Sequence, residues 1–118
     1  MVSRSLIKNN PLLVESVAKA TIEGVAFIHK PANKEIVVKS LGRNLRLSRP
    51  DQMEKAYQGL VAALPRKPCP SMAGMNAVIK LMVQHGINPK AAQLKAEEQL
   101  DLSFCKRFED SGFFKSLY

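Results

Sequence analysis

The residues of this sequence with the most evident capacity for chemistry are cationic. Lys30, Lys34, Lys39, Arg43, Arg46 and Arg49 stand between positions 30 and 49 against Glu35 alone, a local net charge of +5. Such a stretch can bind phosphates by releasing their condensed counterions. Lys34, Lys39, Arg43, Arg46 and Arg49 therefore form a candidate basic contact patch for nucleic acid, with an ordinary solvated face as the alternative. The stretch also has the outline of a helix-turn-helix, with Gly42 in the turn and a second helix behind it. Two features oppose that outline. Val38 occupies the position where a small residue usually lets the helices approach, and the connector from Gly42 to Ser48 exceeds the tight turn of about 3–4 residues in that motif.

Other reactive side chains form no catalytic set. The sequence has no Gly-rich phosphate loop, no His-Glu-x-x-His and no Gly-x-Ser-x-Gly, so no enzymatic activity and no cofactor is expected. His29 and His85 each fall at a predicted helix end, where a cation suits the carbonyl pole of the dipole. Glu97-Glu98 and Glu109-Asp110 read as solvated faces. Cys69 and Cys105 are not a metal set, since no Cys-x-x-Cys occurs and neither histidine has ligand-like spacing to them. They are either two partly buried thiols or, in an oxidising compartment, a disulfide worth roughly 4 kcal/mol on the chain-entropy account.

Size and composition set the frame for these groups. The 118 residues suit a single domain, 46% are hydrophobic, and 18 Lys and Arg against 10 Asp and Glu leave a net +8. That excludes a disordered segment, a disulfide-dense mini-protein and a collagen-like chain. No run approaches the ~20 apolar residues of a membrane span. The start Met1-Val2-Ser3-Arg4-Ser5-Leu6-Ile7-Lys8 lacks the apolar stretch of a secretory signal, so the chain as written is expected in the cytoplasm.

The elements expected to carry these residues are helical: an all-α fold of about five helices across residues 1–118. Only Val2–Ile7 reads as a candidate short strand. Asn10 caps and Pro11 starts a long helix through Ile28. Glu15, Ser16, Lys19 and Glu23 share one arc of roughly 100° on it, and its many other apolar positions predict a central helix covered on more than one side. Pro31 opens a shorter helix over about 32–41, with Ile36, Val37 and Leu41 inward and Gly42 as its left-handed stop. Ser48-Arg49-Pro50-Asp51 has the logic of a capping box and starts a third helix with Met53, Tyr57, Leu60, Val61 and Leu64 on one face. The proline-rich 65–70 segment is an extended connector. Ser71 caps a fourth helix, whose Met72, Met75, Val78, Ile79 and Met82 face a core and whose stop is Gly86. After a turn at Asn88-Pro89, Asp101 caps a fifth helix through Leu102, Cys105 and Phe108 that ends at Gly112. Phe113, Phe114, Leu117 and Tyr118 form an aromatic tail expected to pack.

The order of motifs resembles a known family. Lys8-Asn9-Asn10-Pro11, the Ala-rich 18–28 stretch and Pro31-Ala32-Asn33-Lys34-Glu35-Ile36 come first, then Asp51 to Tyr57. Pro70-Ser71-Met72-Ala73-Gly74 runs on to Val78-Ile79. The most specific piece is the close, Asp101-Leu102-Ser103-Phe104, Phe108-Glu109-Asp110-Ser111-Gly112-Phe113 and Leu117-Tyr118. Together they resemble the C-terminal part of periplasmic substrate-binding proteins of ABC importers, of the nitrate/sulfonate/taurine and thiamine-precursor type. The resemblance implies a parent with a two-lobed α/β fold, a small anionic, sulfonate or thiamine-precursor-like ligand, and an ABC permease as partner. It implies structural support from this segment, with ligand contacts coming from earlier lobes, so no ligand-binding residue carries over. The apolar first helix and aromatic tail predict self-association of the isolated chain.

Overall fold

The computed structural model describes residues 2–118, and among them all regular structure is helical. Eight α-helices follow in order: α1 (Arg4–Asn9), α2 (Pro11–His29), α3 (Lys34–Asn44), α4 (Pro50–Ala63), α5 (Met72–Gln84), α6 (Ala96–Gln99), α7 (Ser103–Asp110) and α8 (Phe113–Leu117). Short 3-10 turns occupy Pro31–Asn33 and Ala91–Gln93. The chain divides into two compact units, the first running to Pro68 and including Leu117–Tyr118, the second Cys69–Ser116. No described helix is long and apolar enough to cross a membrane.

The expected strand at Val2–Ile7 is replaced by helix α1. The Oγ of Ser3 accepts from the Leu6 amide at 3.1 Å, closing a helical N-terminus that an extended chain would leave open. Asn10 then ends α1 and starts α2, its Oδ1 accepting from the Leu13 amide at 3.3 Å, with Pro11 at the first helical position. Along α2 one face is buried through Val14, Ile22, Val25 and Ala26, and α1, the 3-10 turn and α3 pack on the helix. The opposite face stays open, with Leu12, Leu13, Val17 and Phe27 all exposed. α2 is thus covered on one side, not surrounded.

In α3 the sequence expectation needs two corrections. Ile36 points to solvent at 61% exposure, while Val37 is buried. Gly42 does not stop the helix: it lies inside α3, buried, where an added Cβ would run into the Sδ of Met53 on α4. Its missing side chain is what lets α3 and α4 cross closely. The left-handed position belongs instead to Arg46, at φ 54°. The Leu47 amide bonds the Gly42 carbonyl at 2.8 Å, the six-to-one bond of a Schellman ending. The stop at Gly86 is as expected, with φ +60° and the Ile87 amide on the Met82 carbonyl at 3.0 Å.

Helix α4 begins at Pro50, and Ser48 makes no cap bond. Arg49 holds the cap position without a side-chain cap, and its Nε and Nη2 donate to the two oxygens of Asp51 at 3.1 and 3.0 Å. The acidic residue that would complete a capping box is engaged by the neighbouring guanidinium.

In the second unit, Ser71 caps α5 by accepting from the Gly74 amide at 3.0 Å. Ala91 and Ala96, both fully buried, let the second 3-10 turn and α6 pack on α5. Met72, Met75, Ile79 and Met82 are half-buried, whereas Val78 is exposed. The Oδ1 of Asp101 accepts from the Ser103 amide (2.9 Å) and hydroxyl (2.6 Å), so it turns the chain into α7 from one residue before the cap. Phe108 and Phe114 are buried, and with Phe113 they form a ring cluster at centroid separations of 5.4–6.3 Å. Cys69 and Cys105 are joined in a disulfide, which resolves the alternative the spacing left open; neither is a free thiol.

The glycines divide by what surrounds them. Gly42→Leu is expected to lower unfolding free energy by about 1–3 kcal/mol through overpacking, partly recovered when Met53→Ala is added. Gly59→Ala, in open space on α4, is expected to raise it by about 0.5–1 kcal/mol through helix propensity. Urea unfolding followed by circular dichroism reads both, and a neutral Gly42→Leu would show that α3 and α4 do not depend on the close approach.

Candidate functional site

The five cations of the basic stretch are delivered by α3, the turn after it and the start of α4. Three of them are already occupied. The Nζ of Lys34 reaches the Oε1 of Glu54 on α4 at 2.8 Å and stands 5.4 Å from the Tyr57 ring centroid. Lys39 pairs with Glu35 one turn earlier at 2.6 Å. Arg49 is held by Asp51. Arg43 and Arg46 make no ion pair among the described residues, and both are exposed.

The pairing alters the titration of these groups. The hydrogen bond to Glu54 raises the Lys34 ammonium above its ordinary value, and the same bond, with one from Gln58 at 3.1 Å, holds the Glu54 carboxyl below its own. Glu35 is likewise lowered by its bond to Lys39. Asp101, in the second unit, is lowered by the hydroxyl and amide of Ser103. Each pair is exposed to solvent, so each adds little to stability. Their effect on the patch is larger: Glu35, Glu54 and Asp51 neutralise three of its five charges. What remains without an ion pair among the described residues is an Arg43–Arg46 edge at the end of α3.

Both histidines stand at helix ends. The Nε2 of His29 donates to the Leu64 carbonyl at 2.8 Å, and the ring meets that of Tyr118 edge-on at 6.2 Å. His85 closes α5 through its backbone and is exposed. Glu97, Glu98, Glu109 and Asp110 are exposed, as expected. Among the described residues no group of histidines, cysteines and carboxylates could hold a metal ion.

A second cluster was legible only as an aromatic tail. The Oη of Tyr118 donates to the Arg66 carbonyl at 3.0 Å, and the Arg66 guanidinium lies 5.0 Å from the Tyr118 ring centroid. With His29 and Leu64 these residues fasten the C-terminal tyrosine within the first unit. Nothing in the spacing of Arg66 and Tyr118 signals the contact. It is an anchoring arrangement for the Tyr118 ring.

No protein-family model matches the chain, and no curated protein or solved structure matches it either.

Acidification should weaken the fold through these carboxylates. Their folded-state affinity for protons is below ordinary, so they stabilise at pH above the ordinary value of 4.5 for Glu, and that contribution is lost as pH falls through their lowered values. Thermal melts from neutral pH downward should show a declining midpoint, and Glu54→Gln should flatten the decline. An unchanged pH profile in Glu54→Gln would contradict the role of the Lys34–Glu54 pair.

Proposed function

We propose that the chain is the C-terminal helical segment of the solute-binding protein of an ABC importer, of the nitrate/sulfonate/taurine or thiamine-precursor-binding type. Its work there is mechanical: it supports the ligand-binding lobes and offers surface to the permease. It performs no chemistry. The observation that carries this reading is the ordered series of family-like motifs along nearly the whole chain, closing on Asp101-Leu102-Ser103-Phe104 and Phe108 through Tyr118.

Physical roles found for those motif residues support it. Ser71 and Gly74 of the Pro-Ser-x-x-Gly motif are the two ends of the α5 cap. Phe108 and Phe113 of the closing motif build the ring cluster, and Tyr118 is fastened at the far end. The Cys69–Cys105 disulfide fits an oxidising compartment such as the periplasm, where such bonds persist. The test is the genomic neighbourhood. A reading frame for two α/β lobes directly upstream, beside genes for a permease and an ATPase, is expected; a neighbourhood with none of these overturns the assignment.

One observation favours a second reading, a helical nucleic-acid-binding module. Arg43 and Arg46 make no ion pair among the described residues, and the left-handed turn at Arg46 holds the two on an exposed edge. The five-residue connector 45–49 is longer than a helix-turn-helix turn, and Val38 is half-buried before it, so any such contact would be to phosphates and not a groove-reading fit. Retention on DNA that falls steeply with salt and disappears in Lys39→Glu plus Arg43→Glu would establish this reading. Salt-independent passage of the unaltered chain would remove it.

A further inference from the structure

The open face of α2 has the pattern of a helix seam without a partner. Leu13, Val17, Ala20, Gly24 and Phe27 recur at alternating spacings of four and three, the period that brings one side of a helix against another helix. All five are exposed, with Leu13 at 48%, Val17 at 57% and Phe27 at 44%. They lie within an arc of about 80° at 3.6 residues per turn. The strip is on the order of a few hundred Å², the scale at which exposed apolar surface signals an interaction. Gly24 has nothing within 4 Å of the position a Cβ would take, so a second helix can approach closely there.

We infer that this face binds a second copy of the chain, α2 against α2 in antiparallel sense, in a reversible two-fold dimer. The inference rests on the α2 face alone and is independent of the transport reading. Two features select this occupant. The first is the size pattern: with the two-fold axis near Ala20 and Thr21, Ala20 meets its own copy, Val17 faces Gly24 of the second copy, and Leu13 faces Phe27 of the second copy. Large residues fall on small ones at the centre and apolar ones meet at both ends. The second is charge. Glu23 borders one edge of the strip with Lys19 farther round the same side of the helix, and the antiparallel arrangement brings the long side chain of Lys19 of each copy toward Glu23 of the other. Lys19 is already 2.9 Å from Glu15 of its own helix, while Glu23, on a chain of net charge +8, makes no ion pair among the described residues. In a parallel two-fold pairing this edge of the two copies would lie on opposite sides of the seam, and these Lys19–Glu23 pairs would not form. The strip is smaller than the about 800 Å² per partner of a standard tight interface, which places the dimer in the weak, concentration-dependent range.

Sedimentation or light scattering of the 118-residue chain across a dilution series tests this. The unaltered chain is expected to move between one and two copies, and Val17→Glu to remain single at every concentration with unchanged helicity. Lys19→Glu is expected to weaken association about tenfold or more. Combining Lys19→Glu with Glu23→Lys is expected to restore it, since the exchange recreates both cross-copy pairs even though the introduced carboxylate then stands one turn from Glu15. A chain that stays single throughout, that grows beyond two copies, or whose association ignores the Val17 and charge-exchange variants overturns the inference.

Discussion

Helices pack only as closely as the side chains between them permit, and the first unit meets that limit at Gly42. The residue is buried within α3, and the space its side chain would fill is taken by Met53 of α4. Much else follows from this approach. It fixes where α3 can end, because the helix must run past Gly42 before turning, and the Gly42 carbonyl then accepts the Leu47 amide that closes the ending. It brings Glu54, one residue after Met53, within reach of Lys34 at the other end of α3. It therefore bears on the neutralisation of Lys34, whereas Lys39 and Arg49 are paired locally with Glu35 and Asp51.

The second unit reaches order by a different balance. Its buried apolar residues are few, namely Ala91, Ala96, Phe108 and Phe114, and two of them are alanines that contribute little area. Small domains with slender cores are commonly stapled by disulfides, and Cys69–Cys105 is such a staple, ahead of α5 at one end and within α7 at the other. Where the first unit is held by a long helix and a close crossing, the second is held by one covalent bond, a capped helix and three rings.

The helical class and most helix starts were legible because capping is local. Asn10-Pro11 and Ser71 act within three residues of themselves, as does the stop at Gly86. What escaped the sequence was set by residues far along the chain. Gly42 has the composition of a stop, and only Met53, arriving from α4, gives it a packing role; the left-handed turn passed to Arg46, a residue type that seldom adopts it. The Val2–Ile7 segment is short enough that either conformation fits its pattern, and Ser3 settles it by capping. In the basic patch the Lys39–Glu35 and Arg49–Asp51 pairs are local, but the Lys34–Glu54 pair was not legible, because Glu54 lies 20 positions from Lys34 and its approach is a tertiary event. Spacing alone also leaves two cysteines undecided between thiol and disulfide, since proximity belongs to the folded chain.

The disulfide also changes the covalent topology of the molecule. It closes a ring of chain from Cys69 to Cys105, a separation of 36, that contains α5, the second 3-10 turn, α6 and the start of α7. The exposed turn at 86–90 lies inside that ring. A protease cutting there opens the backbone without dividing the molecule. The two fragments stay tethered near each other at high effective concentration, able to re-form the α5 packing, and separate in mass only after reduction. In a compartment rich in proteases this makes an exposed turn of the second unit one of its less consequential places to be cut.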